Sequence, residues 1–298
     1  MKRLDYALPF PYDDESIDDF YSRASDKEAR KMIIEFLNSL FFNEEQEQVV
    51  GYLLRYFARC MYGINQNHSI MFWDGPGGNG KDVLKSLLEN AFGAKGKRNC
   101  GFTGEMPNDY ITTEATGGGG DAPTAALAGL MTSKCRIAFV NEPLKVPDKK
   151  NKGDGYRLAV TKVKYITGGG KVAYRALYKD MATGIPAFNV ITLCIGIPDY
   201  QDAMKSKEGG DALDRRIITL PMRFSFKTKQ KMEIAIARDG DDTRWSPENP
   251  NGKYKLADKV YDNAFKQKRF YSEFMAAASG GRPLTRTFAR VVNGATRQ

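Results

Sequence analysis

The stretch GPGGNGKD, Gly75 to Asp82, holds the residues best suited to chemistry in this 298-residue chain. Four residues separate Gly75 from Gly80, and Lys81 follows. Such a spacing turns glycine backbone N–H groups toward phosphate oxygens and lets the lysine reach the β and γ positions. Gly77, Gly78 and Asn79 fill the loop. Asp82 stands where a hydroxyl residue is expected to bind Mg²⁺. Its carboxylate could coordinate the ion directly, and an acid is favoured at a helix N-terminus.

Three further stretches carry candidate chemistry. RIAFVNEP, Arg136 to Pro143, is an apolar strand ending in an acid. Glu142 at its carboxyl end could polarise water or hold Mg²⁺, with Asn141 before it. VKYITGGGKVAYRALYK, Val163 to Lys179, reads as two strands around a glycine tip. Lys164, Lys171 and Arg175 then lie on a basic hairpin with interleaved tyrosines, a surface suited to a nucleic-acid backbone. DALDRRIITLPMRF, Asp211 to Phe224, places Arg215 and Arg216 just before a buried strand. Paired arginines there either cap a surface or reach a neighbouring subunit's γ-phosphate.

The elements around these residues imply an α/β fold. Near-continuous apolar runs at 69–74, 135–141, 188–197 and 216–222 are the pattern of a parallel sheet covered on both faces. The phosphate loop lies between the first of these and an amphipathic helix over 81–93, whose N-terminal dipole adds positive potential. Upstream, the spacing of apolar residues predicts helices from Ser25 to Leu40 and from Glu44 to Tyr62, the first opened by the capping box SDKE. The chain therefore divides into an extended acidic lead-in (1–24), a helical module (25–65), a nucleotide-binding core (66–225) and a partly helical basic region (226–298).

Composition narrows the function. The net charge is +9. Residues 1–60 carry 8 Lys/Arg against 12 Asp/Glu, whereas residues 201–298 carry 20 against 12. The basic later part suits a polyanion partner. Four scattered cysteines and a single histidine, His68, leave almost no ligands for zinc and argue against histidine-based catalysis. No apolar run approaches the roughly 18 residues of a membrane span, and the N-terminal residues lack the apolar core of a secretion signal. A soluble protein of the cytoplasm, or of the interior of a virus-infected cell, is expected.

In this order, the blocks GPGGNGK, RIAFVNEP, VKYITGGGKVAYRALY, ITLCIGIPD and DALDRRIITLPMRF resemble the helicase half of viral primase–helicases of superfamily 3, over about residues 25–225. The resemblance implies an AAA+-like P-loop ATPase core that uses ATP and Mg²⁺. It also implies a homo-oligomeric, usually hexameric ring that translocates on single-stranded DNA at a replication fork. By position Lys81 would bind phosphate, Glu142 would be the catalytic acid, Lys171 and its hairpin would face DNA, and Arg216, with Arg215 beside it, would be the arginine finger. The chain departs from that pattern at Asp82, Asn141, Gly170 and Ile195. No primase half is read in this sequence, and a primase is expected on a separate chain or not at all. The alternative is a degenerate ring that binds nucleotide or DNA with little hydrolysis. A third reading, a packaging ATPase, fits the order of hairpin and arginines less well.

Overall fold

The computed structural model of the chain describes residues 27–41, 46–60, 68–92, 101–108, 110–112, 125–143, 146–147, 154–155, 158–198, 213–240, 244, 253–257, 261 and 265. The lead-in, Ser25 of the capping box, the glycine run 116–120, Cys100 and most of the expected helix over 256–279 lie outside these residues.

In chain order the elements are α1 (Lys27–Leu40), α2 (Gln46–Cys60), β1 (Ile70–Asp74), α3 (Lys81–Phe92), β2 (Thr103–Glu105), α4 (Ala125–Thr132) and β3 (Ile137–Asn141). Two short strands follow, β4 (Val146–Pro147) and β5 (Asp154–Gly155), then α5 (Val160–Thr167), β6 (Val172–Arg175), β7 (Met181–Gly184) and β8 (Asn189–Cys194). The last described elements are β9 (Ile217–Pro221), β10 (Ser225–Lys227), α6 (Lys229–Asp239) and β11 (Tyr254–Leu256). The four apolar runs read from sequence are β1, β3, β8 and β9. Among the described residues no helix is long and apolar enough to cross a membrane.

The elements fall into two compact units that are not continuous in sequence. One holds residues 63–75 and 94–221, the other residues 1–62, 76–93 and 222–298.

The first unit is built on a five-stranded sheet in the order β2-β3-β8-β1-β9, every pair parallel. β8 is buried along its whole length, as a central strand must be. One face of the sheet presents Ile70, Phe72, Ala138, Val140, Val190 and Cys194 to a core completed by Leu127 and Leu130 of α4 and Val163 and Ile166 of α5. Alternate residues lie on the other face, where the Trp73 and Phe139 rings meet at 6.2 Å between centroids. Cys135 and Cys194 are buried free thiols here, as is Cys60 in the second unit.

The hairpin expectation needs correction. Residues 163–167 are helical, within α5, and Gly168–Gly170 end that helix instead of forming a hairpin tip. Val163, Ile166 and Thr167 are β-branched, which favours strand. Their i, i+3, i+4 spacing nevertheless places all three in the core, and burial overrides propensity. Gly169 is left-handed at φ 70, and a Cβ there would sit 2.8 Å from the His68 ring. The ring nitrogen Nδ1 of His68 is hydrogen-bonded to Thr167 O at 2.8 Å. The true hairpin is one element later. β6 and β7 pair antiparallel, Val172 opposite Gly184 and Arg175 opposite Met181. Their tip is residues 176–180.

In the second unit, α1 and α2 are in contact, and Ile33, Leu37, Leu53 and Phe57 on them are fully buried. Phe36 meets the rings of Tyr261 and Phe265 at 5.2 and 4.9 Å. β10 and β11 form a two-stranded parallel ribbon, with Phe226 opposite Lys255. α6 closes over it with Met232 and Ala235 against Tyr254.

Candidate nucleotide site

The loop after β1 has the geometry of an anion cradle. Gly78 and Gly80 are left-handed at φ 73 and 86, a region that side chains rarely enter. A Cβ at Gly80 would also approach Leu40 Cδ2 of α1 to 2.6 Å, so only glycine fits. Asn79, 2% exposed, is a double tie: its amide donates to Met222 O at 3.1 Å, and its Oδ1 accepts from Lys81 N at 3.3 Å. The second bond satisfies one of the N–H groups that every helix start leaves open. Lys81 is 9% exposed at the first position of α3. A phosphate chain seated on the loop would bring counter-charge to its ammonium. Asp82 beside it is exposed.

Lys255 stiffens the ribbon next to this loop. Its Nζ donates to Ser39 O at 3.0 Å and lies 3.4 Å from the centroid of the Phe224 ring. Burial pushes the ammonium down from 10.5 to about 8. Because the folded value is the lower one, the unfolded chain holds more protons between about pH 8 and 10.5, so this group makes stability rise with pH across that window. Urea unfolding at pH 7.5 and 9.5 should therefore show the wild type gaining about 2 kcal/mol relative to Lys255→Met. Parallel pH curves for the two proteins would remove the effect.

The sheet unit holds the carboxylates. β1 and β3 are separated by β8, and all three carboxyl ends lie on one edge of the sheet. The phosphate loop leaves from the end of β1, and Glu142 follows the end of β3. Two strand spacings set the ends of β1 and β3 roughly 10 Å apart. Glu142 is exposed and left-handed at φ 43, with its N–H donating to Leu193 O at 2.9 Å. Strained non-glycine backbone of this kind concentrates at functional sites. Asn141 donates from Nδ2 to Glu105 Oε2 at 2.7 Å, so an acid from the edge strand β2 stands beside the position where the motif lacks one. Asp74 Oδ1 accepts from Gly196 N at 2.8 Å and ties the end of β1 to the loop after β8. Ile195 in that loop is 55% exposed.

Arg215 and Arg216 lie at the opposite edge. Arg216 O accepts from Ile70 N at 2.8 Å, which fixes it at the amino end of β9, beside the start of β1. Five strand residues, roughly 16 Å, separate it from the carboxyl edge. Burial and then the neighbouring Arg215 lower the Arg216 guanidinium from its usual value.

The expected DNA residues are scattered. Lys164 is half-buried on α5, Lys171 is exposed before β6, and Arg175 ends β6 with its Nε donating to Lys179 O at 3.0 Å. The exposed tip consists instead of Leu177, Tyr178 and Lys179. Tyr178 is fully exposed and left-handed at φ 59.

Comparison with known proteins finds viral relatives at low identity. A protein named "Putative helicase" in Acanthamoeba polyphaga mimivirus is 26% identical over 215 residues, which is 72% of this chain and 19% of that protein. "Putative helicase 121R" of Invertebrate iridescent virus 3 is 24% identical over 231 residues, 76% of this chain and 21% of that one. The chain resembles viral helicases. It spans about a fifth of the length of these relatives. No family model matches it. Among solved structures, the C-terminal region of NrS-1 superposes with a TM-score of 0.42 at 14% identity, over 90% of this chain and 51% of that one.

Sequence reasoning missed Asp74, Glu105, the hairpin tip and the segment 222–226. Asp74 was legible as the polar end of an apolar strand. Glu105 was not, because its partner Asn141 lies 36 residues away.

Proposed function

We infer that the chain is the motor part of an ATP-dependent DNA helicase of the superfamily 3 kind. The observation that carries this reading is the sheet order, with β8 interposed between the strand that feeds the glycine loop and the strand that presents Glu142. Lys81 and the loop N–H groups hold the phosphates of ATP. Glu142 orients and deprotonates the attacking water. Mg²⁺, held chiefly through the nucleotide with Asp82 or Glu142 completing its oxygen ligands, would neutralise the developing charge.

Arg216 acts in trans. Its position at the amino edge puts it far from the carboxyl edge of its own sheet, so a neighbouring copy is the better recipient. A homo-oligomeric ring, six-membered by the resemblance, follows from that assignment.

DNA is bound through the β6–β7 tip, with Lys179 on a phosphate and Tyr178 against a base or sugar. Lys171 and Arg175 at the hairpin's base add potential. In fluorescence anisotropy with single-stranded DNA, Lys179→Ala combined with Tyr178→Ala should weaken binding by roughly tenfold or more and flatten the salt dependence by about 0.7 in log–log slope for the lost phosphate contact. Unchanged affinity and slope would exclude the tip as the DNA contact.

A second reading, a ring that binds nucleotide and turns it over little, rests on Ile195. An exposed aliphatic residue stands there where a polar residue would contact the γ-phosphate.

A further inference from the structure

We propose that Ser225 is a positioning residue for the phosphate loop, acting through the carbonyl of Gly77; this rests on the nucleotide-binding reading above. Ser225 Oγ donates to Gly77 O at 3.2 Å, and the N–H of Phe226 donates to Gly78 O at 2.7 Å. Met222 O receives the Asn79 amide. Three consecutive loop residues are thus tied to one five-residue segment.

The consequence follows from peptide geometry. In a planar trans peptide, the C=O of one residue and the N–H of the next point in opposite directions. Holding Gly77 O toward Ser225 turns the N–H of Gly78 the other way. Holding Gly78 O toward Phe226 does the same for the N–H of Asn79. These are donors that a phosphate chain requires, fixed before it arrives, so binding need not order them. Glycines alone would leave the peptide planes free to rotate, since they offer no side chain to restrict φ and ψ.

Ser225 is itself well fixed. It is 7% exposed, and its N–H donates to Lys253 O at 2.8 Å. Lys255, opposite Phe226 in the ribbon, is fastened to Ser39 and Phe224. The brace therefore has its own support and does not depend on a bound nucleotide to form. The hydroxyl is the one side-chain part of the brace that comes from the 222–226 segment, so a single substitution removes it.

The test uses the whole chain and calorimetric titration with Mg-ATP and with Mg-tripolyphosphate. Ser225→Ala should weaken both ligands by the same factor, about three- to tenfold for one hydrogen bond. Ser225→Thr should restore wild-type affinity, and the ligand-free melting temperature of Ser225→Ala should fall by no more than the few degrees expected for one lost hydrogen bond. Equal affinity of Ser225→Ala and wild type for both ligands would overturn the proposal, as would a loss that Thr does not restore or one accompanied by a fall in the ligand-free melting temperature of roughly ten degrees or more. If the wild type binds neither ligand, the nucleotide reading itself fails and the proposal falls with it.

Discussion

Lys81→Ala should lose roughly a hundredfold or more in affinity for Mg-ATP, on the scale expected when charge-assisted bonds to two phosphate oxygens disappear. The lysine is buried at the first turn of α3, so the substitution removes packing as well as charge. Lys81→Met separates the two. It keeps most of the aliphatic stem and should be as defective in nucleotide binding as the alanine variant, while melting close to wild type. Calorimetry on the three proteins reads this directly. Full affinity in Lys81→Met would mean that the glycine loop binds without its cation and that the cradle has been misread.

Arg216→Ala should bind nucleotide normally and lose hydrolysis by about 10³-fold, the lower range for removal of an arginine finger. On the proposed reading, the residue's place at the amino edge of the sheet assigns it a phosphate on another copy. Mixing Arg216→Ala with Glu142→Gln should therefore restore part of the activity that neither variant has alone. The mixture contains interfaces in which an intact acid from one chain meets an intact arginine from the next. A mixture as inactive as its components, with wild type assembled, would place the arginine's role elsewhere.

Much of this was legible from residue order, for identifiable reasons. β1, β3, β8 and β9 are near-continuous apolar runs with few polar positions, and such runs announce a parallel sheet. The glycine loop is legible because strand, loop and helix are adjacent in sequence. The β6–β7 hairpin was misplaced because Val163, Ile166 and Thr167 have strand-type side chains on a helical spacing, and only the core they enter decides between the two. The ribbon of β10 and β11 was invisible. Each strand is three residues long, too short for a period, and their pairing brings Ser225 opposite Tyr254. The brace on the phosphate loop was hidden for the same reason: Ser225 and Gly77 are 148 positions apart, and nothing local in either marks the other. The arginine pair was read as a finger from its resemblance alone. Its location at the amino edge, which argues for action in trans, needs the direction of β9.

Steady-state ATP hydrolysis by the full chain, with and without single-stranded DNA, tests the helicase reading most directly. The expected result is Mg²⁺-dependent turnover that rises several-fold or more when single-stranded DNA is added, and that disappears in Lys81→Ala and Glu142→Gln in both conditions. Absence of turnover in the wild type with or without DNA, at concentrations where nucleotide binding and assembly are demonstrated, would contradict it and leave a ring that binds without working.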